Sequence, residues 1–387
     1  MNILLTSMQV PGAASGVRVH YERLAALLRA EGHCVTIVTL ADTPPMPSRI
    51  IGVLRHGLRL LPGELGRRLG IELSEAAKIY FAIDSRQPYD IVNAQDISSG
   101  WAARLALRNR VPVVVTGHFN ANPAEEVIRQ QNLTGLAALF VRRWYGTLFR
   151  RTQYFLGVSQ SVLRNSASLL PATTARRLVY NGLDFEGFAQ RETSLGLRQR
   201  FPGRHIILNI GHLETRKNQR YLLEAAKALL VYRQDFVVGL VGRGPDEASL
   251  RAQLAADGLA KHVVLLGYHT DVAPLLLEAD LYVHTALSES FGLVLIEAIA
   301  AGVPALAFAL DGTQEVLAAT PDALFDPTTP PTELALRLHA LLSDAAGRRQ
   351  LHTRQYAFAT THFSATKLVA NTLDFFEQAR QGAAQAA

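Results

Sequence analysis

Residues 281–304, LYVHTALSESFGLVLIEAIAAGVP, carry the pattern that decides the fold. The apolar run at 281–283 predicts a buried strand, and the apolar stretch after Gly292 has the length of a short helix that stops near Gly302. A further apolar run at 305–308 follows at once and predicts the next strand. A strand, a helix and a strand in this order form the βαβ unit of a parallel sheet.

The same alternation extends along the whole chain. It predicts an α/β fold with two doubly wound, Rossmann-like domains that face each other across a cleft. Strands are predicted in the first half at 3–5, 35–38, 91–92, 113–115, 154–158 and 178–179, and in the second half at 206–210, 236–241, 263–266, 281–283 and 305–308. Because ligands of such sheets lie at the carboxyl ends of strands, we expect chemistry in the loops that follow strands.

A polar stretch with several glycines, at 185–204, predicts the linker between the halves. The predicted domains are therefore 1–190 and 204–363, and a C-terminal helix at about 364–381 is expected to pack back on the first domain.

The composition is typical of a globular protein from a reducing compartment. Of 387 residues, 49% are hydrophobic and 19% are charged, which suffices for two cores. No stretch stays apolar over the roughly 20 residues that a bilayer crossing needs, and the run at 1–10 has no basic leader. Cys34 is the single cysteine, which excludes an intrachain disulfide and a cysteine metal cluster. A cytoplasmic location is the expectation.

Charge is distributed unevenly. Up to residue 184 the chain has 21 Lys and Arg against 12 Asp and Glu, and beyond it 18 against 21. Arginines alternate with apolar residues at 49–68 and 140–151, a pattern found both on packed helices and on surfaces that contact anionic membranes. We therefore expect a cytoplasmic protein that can be peripheral on the inner face of the cell membrane. No nucleic-acid motif accompanies the charge, so nucleic acid is not an expected partner.

Three loops after predicted strands have the composition of phosphate-binding segments. The loop at 11–16, PGAASG, precedes a helix, and Gly16 is its expected ligand contact. The loop at 242–245 reads GRGP, and the loop at 211–218, GHLETRKN, places two cations side by side. For the loops at 11–16 and 242–245 the alternative is a turn without ligand, and for the two cations of 211–218 it is a solvated surface pair.

The loop at 288–293 opens the helix that carries Glu297. Ser288 or Ser290 is expected to cap this helix, and Gly292 is expected to bring backbone N–H groups to a phosphate. Glu297 lies about two turns in, where its carboxylate can bind a vicinal diol. Glu289 and Glu297 could also form an ordinary polar helix face.

Taken together, these residues resemble the retaining GT-B glycosyltransferases of family four, which use nucleotide-activated sugars. The most specific stretch is 289–304, which is similar to the family's Glu-x7-Glu element. Supporting segments are at 158–159, 180–184, 211–217, 241–245 and 266–267. The resemblance covers nearly the whole chain. It implies a GT-B fold, a donor such as a UDP- or GDP-sugar, and a glycan or lipid-linked acceptor.

The resemblance also implies the roles of donor-side residues. Lys217, with Arg216 beside it, would hold the donor diphosphate, and Glu297 would bind the ribose hydroxyls. Glu289 would contact the transferred sugar. The remaining donor contacts would be made by Gly16, Arg243, Tyr268, Ser290, Phe291, Gly292 and Leu293.

His118 matches a histidine that family members place beside the reacting sugar, so Lys217, Glu289 and His118 are the predicted catalytic residues. Without the family, His118 could equally be a satisfied loop histidine. The chain has His212 where the family often has arginine, which replaces a permanent cation by one that titrates near neutrality.

The sequence has no Asp-x-Asp triplet and no plausible cluster of metal ligands, so we expect a metal-independent enzyme without a cofactor. The alternatives are a GT-B sugar-nucleotide epimerase, an inverting transferase, and a non-catalytic protein that binds sugar nucleotides.

Overall fold

The computed structural model describes residues 1–10, 15–58, 63–191 and 195–386. Contacts divide the chain into two units. The first comprises Met1–Tyr180 and Leu368–Ala387, and the second comprises Asn181–Lys367. The boundary between the two units, after Tyr180, therefore comes before the linker predicted at 185–204.

The first unit is built on a parallel sheet of six strands in the order β2-β1-β3-β4-β5-β6. Its strands and helices are, in chain order, β1 (Asn2–Ser7), α1 (Gly16–Ala30), β2 (Cys34–Thr39), α2 (Pro45–Leu58), α3 (Gly63–Ala82), β3 (Ile91–Ala94), α4 (Ile97–Ala106), β4 (Val113–Gly117), α5 (Pro123–Gln130), α6 (Gly135–Arg150), β5 (Tyr154–Gly157), α7 (Gln160–Ser166) and β6 (Ala175–Leu178). A 3₁₀ turn at Leu40–Asp42 follows β2.

The second unit is a parallel sheet of six strands in the order β12-β11-β10-β7-β8-β9. Its elements are α8 (Phe185–Ala189), α9 (Leu197–Arg200), β7 (His205–Ile210), α10 (Gln219–Leu229), β8 (Phe236–Val241), α11 (Glu247–Ala256), β9 (Val263–Gly267), α12 (Ala273–Leu276), β10 (Leu281–His284), α13 (Leu293–Ala300), β11 (Ala305–Phe308), α14 (Asp311–Val316), β12 (Leu324–Phe325), α15 (Pro331–Ser343) and α16 (Ala345–His362). The 3₁₀ turns are Thr215–Lys217 and Pro321–Ala323.

The last helix, α17 (Ala365–Ala386), belongs to the first unit from Leu368 onward. Leu368, Phe375 and Phe376 are buried in one cluster with Ile3 and Leu5 of β1. Burial of a phenylalanine contributes roughly 1.5–3 kcal/mol, so these side chains hold the helix firmly on the sheet.

Strand order places a switch point in each sheet. In the second sheet, β7 lies between β10 and β8, and the connections leave in opposite directions on its two sides. The first sheet has the equivalent arrangement, with β1 between β2 and β3. Loops at the carboxyl ends of the two strands that flank a switch point leave a crevice between them, which is where such sheets bind ligands.

The α/β prediction of two Rossmann-like domains is confirmed, with differences in detail. The strands predicted at 236–241 and 305–308 coincide with β8 and β11, whereas the strand predicted at 178–179 is wrong, because β6 covers Ala175–Leu178. The apolar pattern did not predict β6 correctly because two arginines interrupt it, and a partly exposed edge strand tolerates charged side chains. The two-residue strand β12 was too short to be recognised by its pattern.

The stretch predicted as a linker is packed into the second unit. Phe185 and Phe188 of α8 are buried, and the Phe185 ring contacts Tyr356 edge to face at 5.7 Å between centroids. Farther along, the carboxylate of Glu278 accepts hydrogen bonds from the backbone N–H groups of Leu195 and Arg198, both at 2.8 Å. Buried aromatic rings and satisfied backbone groups make this segment part of a core.

Within the part of the chain that the structure describes, no helix combines the length and apolar character needed to span a membrane.

Candidate active site

Three loops meet at the carboxyl edge of the second sheet, backbone against backbone. The N–H of Gly242, after β8, donates to the carbonyl of Gly267 at 2.8 Å, and the N–H of Leu213, after β7, donates to the carbonyl of Arg243 at 3.0 Å. Gly242 has φ +143°, and a Cβ there would lie 1.9 Å from the Gly211 carbonyl oxygen. Glycine is therefore required for these loops to approach each other.

An ion pair joins the loops after β7 and β10, the two strands at the switch point. Lys217 Nζ lies 2.5 Å from Glu289 Oε2, and the two side chains are only 16% and 15% exposed. The Thr285 hydroxyl donates to the Lys217 carbonyl at 2.9 Å, which fixes the backbone that carries the lysine. Asn218, with φ +53°, then turns the chain into α10. The structure thus brings together two of the three predicted catalytic residues.

Two buried side chains, His284 and Tyr282, extend the hydrogen-bond network from Glu289, and the sequence analysis did not predict them. His284 Nε2 lies 3.2 Å from Glu289 Oε2, and His284 Nδ1 lies 2.9 Å from the Tyr282 hydroxyl. Burial lowers the pKa of His284, so its ring is neutral and carries one proton. That proton must be on Nε2, because an ionised carboxylate can only accept, and Nδ1 therefore accepts from the Tyr282 O–H.

The cluster keeps Glu289 ionised. Burial by itself would raise the pKa of Glu289, but the ammonium of Lys217 and the hydrogen bond from His284 outweigh it and hold the pKa well below its usual range. Burial, and then the charge of Glu289, raise the pKa of Tyr282. At neutral pH the group consists of one cation, one anion, one neutral imidazole and one phenol.

Arg216 stabilises the loop after β10 through hydrogen bonds. Its Nη1 donates to the Ser288 carbonyl at 2.8 Å and its Nη2 donates to Glu214 Oε1 at 2.7 Å. In return its own carbonyl accepts from the Leu287 N–H at 2.8 Å. A guanidinium has five N–H donors, so the remaining ones can still reach an anion.

A second support for this loop comes from α14, through Gly312. Its N–H donates to the Glu289 carbonyl at 3.1 Å, and a Cβ at this position would lie 2.4 Å from the Phe291 Cα. Gly312 was not among the predicted residues, and only a close approach of two distant segments identifies it.

The predicted cap of α13 is wrong. The N-cap is Gly292, with φ +96° and no side-chain cap, rather than Ser288 or Ser290. A left-handed residue at this position suits glycine and leaves first-turn N–H groups without a side-chain acceptor. They remain available to an anion.

The next predicted donor residues lie in α13 or in the loop just before it. The Phe291 ring is buried against Phe363, at 5.2 Å between centroids, so that only its backbone can face a ligand. Leu293 begins α13, Ser290 lies in the loop before it, and the carboxylate-bearing Glu297 is 6% exposed in the second turn. Glu297 is the single charged residue of this helix, whose sequence is LVLIEAIA.

Two further predicted residues meet at the loops after β8 and β9. The guanidinium of Arg243 lies over the ring of Tyr268, 4.6 Å from its centroid. This is a cation–π pair that holds both side chains at the sheet edge. In the loop after β7, the Nδ1 atom of His212 is buried without a hydrogen-bond partner among the described residues.

In the first unit, His118 follows β4 and is the last side chain in a series of hydrogen-bonded side chains. Its Nε2 lies 3.0 Å from Gln95 Oε1, Gln95 Nε2 donates to Asn93 Oδ1 at 2.7 Å, and Asn93 Nδ2 donates to Thr116 Oγ1 at 2.8 Å. Since the Gln95 oxygen can only accept, His118 carries its proton on Nε2 and has a free lone pair on Nδ1. Burial, and then the His20 ring 4.8 Å away, hold the pKa of His118 well below its usual value.

Gly16 is the exposed first residue of α1, and the Ser15 hydroxyl caps this helix by accepting from the Arg18 N–H at 3.2 Å. The rest of the predicted loop, residues 11–14, lies outside the described residues. Among the described residues, no group of three His, Cys, Asp or Glu side chains could hold a metal ion.

Two Rossmann-like units, each built on a parallel sheet of six strands, fit the GT-B fold. Solved structures agree with this fold. The structure of HepE from Anabaena, in complex with UDP and glucose, matches with a TM-score of 0.72 at 19% identity, over 97% of this chain and 99% of that one. WaaG, a glycosyltransferase involved in lipopolysaccharide biosynthesis, matches with a TM-score of 0.68 at 20% identity over 98% of each chain.

The family follows from the sequence comparisons. The family model "Glycosyl transferases group 1" matches residues 196–358, and "Glycosyltransferase Family 4" matches residues 14–186. The chain belongs to the GT-B glycosyltransferases of family 4. Curated relatives include the phosphatidyl-myo-inositol mannosyltransferase of Mycobacterium leprae, 28% identical over 80% of this chain and 78% of the relative. The 2-deoxystreptamine glucosyltransferase of Streptomyces kanamyceticus is 25% identical over 89% of this chain and 90% of the relative.

Proposed function

We propose that this glycosyltransferase moves a hexose from a UDP- or GDP-sugar to an acceptor hydroxyl, with retention of anomeric configuration and without a metal ion. The observation that carries the proposal is the Lys217–Glu289–His284 cluster at the switch point of the second unit. The complexes of HepE with UDP and UDP-glucose support a nucleotide-sugar donor. The names of the mannosyl- and glucosyltransferase relatives support a hexose.

The donor diphosphate would lie against Lys217, Arg216 and the start of α13. Lys217 uses one ammonium proton for Glu289, and its other two can bind phosphate oxygens without breaking the ion pair. Backbone N–H groups at 291–293 add donors at the positive end of the helix dipole. Glu297 would accept from the ribose hydroxyls, and the Arg243–Tyr268 pair would border the nucleobase.

Glu289 would act on the sugar. Glu289, held ionised, can only accept, so it suits a sugar hydroxyl, and Lys217 offsets its charge. In the first unit, His118 is neutral and offers the lone pair of its Nδ1 atom as a hydrogen-bond acceptor to a hydroxyl group. During transfer, the bond between the anomeric carbon and the diphosphate oxygen breaks, and the acceptor oxygen attacks from the same face. The acceptor proton passes to the departing phosphate, whose developing charge Lys217 and Arg216 stabilise.

We further propose a glycan or lipid-linked acceptor, and a cytoplasmic protein that is peripheral to an anionic membrane. Helix α2 buries Ile51 but exposes an apolar stripe at 46, 50, 53 and 54, whose side chains are 56–73% exposed. Arg49 flanks this stripe. An apolar stripe with a basic border is typical of interfacial helices. Co-sedimentation with phosphatidylglycerol vesicles, lost in Ile50→Asp but kept with Arg251→Gln, would support this surface.

Product stereochemistry is the decisive test of the transfer reaction. A screen of nucleotide sugars by thermal shift identifies the donor, because ligand at about 100 times its dissociation constant adds about 2.7 kcal/mol to stability. The anomeric proton of the product is then assigned by NMR. Retention supports the proposal, inversion refutes it, epimerised donor without transfer indicates an epimerase, and an unchanged donor indicates a binding protein. Loss of transfer in EDTA that a divalent ion restores would refute metal independence.

A further inference from the structure

A cavity with a cationic wall lies in the first unit, away from His118. It has a volume of about 730 Å³ and opens between the ends of α4 and α6 and the starts of β5 and β6. Small-molecule sites usually enclose about 300–1,000 Å³, so the cavity has the size of a ligand site.

This cavity and His118 lie at opposite edges of the sheet. Tyr154 and Ala175, in its lining, are the first residues of β5 and β6, whereas His118 follows the last residue of β4. The strands are parallel and four or five residues long, which separates the edges by about 15 Å. A ligand in the cavity therefore cannot occupy the subsite at His118.

The cavity wall is positively charged. Its lining includes three arginines, Arg104, Arg150 and Arg151. Among the described residues that line the cavity, none is acidic. Arg104 is fixed, since its Nε donates to Asn109 Oδ1 at 2.6 Å and its Nη1 donates to the Arg151 carbonyl at 2.5 Å. Asn109 has φ +57°, a left-handed conformation that aims its amide at Arg104.

The other two arginines have donors to spare. Arg150 and Arg151 are exposed, and Arg150 Nη2 makes one hydrogen bond, to the Thr147 hydroxyl at 3.2 Å. Within the described part of the chain, the Arg151 side chain makes no hydrogen bond or ion pair. Within the described residues neither guanidinium group forms an ion pair, so both have N–H donors left for an anionic group, as arginine binds phosphate and carboxylate.

Aromatic residues supply the apolar part of the cavity. Trp101 and Tyr154 line it and are both partly exposed, and the Tyr154 ring also packs edge to face on Phe375, at 6.2 Å between centroids. Trp101 contacts Trp144 edge to face, so the site offers single ring faces rather than a parallel pair that would sandwich a base. The C–H face of a sugar ring can pack on such a surface, while its charged substituent reaches the arginines.

We propose that this cavity binds an anionic saccharide unit, a sugar that carries a phosphate or carboxylate, at a site separate from the transfer site. The inference does not rest on the proposed function, because binding can be measured without donor or transfer.

The two tryptophans of the chain make the test direct. Both are at the site, with Trp101 in the wall and Trp144 at 5.1 Å from it, so intrinsic fluorescence reports on this cavity. Titration of the full chain with glucose 6-phosphate should give a saturable change, whereas glucose should give none. The double substitution Arg150→Gln and Arg151→Gln should weaken binding about tenfold or more. The matched control is Arg143→Gln, an exposed arginine of α6 outside the lining, which should bind like the parent.

The Lys217→Ala variant should keep the fluorescence response, which separates this site from the donor site. A response that is absent up to about 10 mM sugar phosphate, or unchanged in the double variant, would overturn the proposal. So would a response to UMP but not to the sugar phosphate, which indicates a nucleotide site. Arginine-dependent binding of phosphatidylglycerol vesicles without sugar-phosphate binding would likewise overturn it and assign the surface to lipid.

Discussion

Replacing Lys217 by alanine tests the central cluster, because it removes the cation from a buried pair. Glu289 would retain the His284 donor at 3.2 Å and 15% exposure of its side chain. Breaking a buried ion pair costs about 3–5 kcal/mol, and the remaining donor places this case at the lower end, about 3 kcal/mol. For a unit of 187 residues, this lowers the melting temperature by roughly 6–12 °C.

The pH dependence of that loss has a definite sign. In the parent, the pKa of Glu289 is below its unfolded value of about 4.3, so the group stabilises the fold at neutral pH and loses this effect as the pH falls. Without Lys217, the largest influence that opposes burial is gone, and we expect the pKa of Glu289 to rise above the unfolded value. The variant then carries a destabilising carboxylate at neutral pH, which protonation relieves. The stability gap between parent and variant should therefore narrow from pH 7 to pH 5.

Urea unfolding at several pH values measures the gap, and release of nucleoside diphosphate measures activity. Turnover should fall by about 10²–10³, the usual cost of losing one electrostatic contact to a developing charge. The control is Lys227→Ala, whose exposed pair with Asp257 should contribute little to stability because solvent screens it. A gap for Lys217→Ala that equals the control, or that widens on acidification, would refute the charge assignment. Turnover within threefold of the parent would refute the catalytic role.

Three further substitutions test other parts of the structure. Tyr282→Phe removes the donor to His284 Nδ1 and should lower the free energy of unfolding by about 1–3 kcal/mol, which denaturant titration measures; an unchanged midpoint would contradict the tautomer assigned. Gly242→Ala should destabilise the second unit more strongly than an ordinary surface substitution, because its Cβ would meet the Gly211 carbonyl at 1.9 Å; a melting temperature equal to the parent's would show that the loops can separate. The pKa of His118 is lowered in the folded protein, so as the pH drops below about 6.5 the unfolded chain binds a proton before the folded chain does, and stability falls. His118→Gln should flatten this pH dependence of the free energy of unfolding. An identical slope in both proteins would contradict the lowered pKa of His118.

The sequence by itself determined the α/β class, ten of the strands to within one or two residues, and the loops that hold Lys217, Arg216 and Glu289. Such features are local, because hydrophobic periodicity and turn residues act over a few positions of the chain. The same local logic failed at β6, where two arginines interrupt the pattern, and at the start of α13, where glycine rather than serine occupies the cap.

Only the tertiary structure decided which of these groups meet. Lys217 and Glu289 are 72 positions apart and pair because β10 lies beside β7 in the sheet, an order that no local pattern encodes. The Tyr282–His284–Glu289 hydrogen bonds also depend on the fold, because burial keeps His284 neutral and the neighbouring carboxylate then places its proton on Nε2. The cationic cavity likewise exists because parallel strands bring the ends of α4 and α6 to one sheet edge. Long-range strand order and desolvation are properties of the whole fold, and they convert scattered charged residues into sites with defined chemistry.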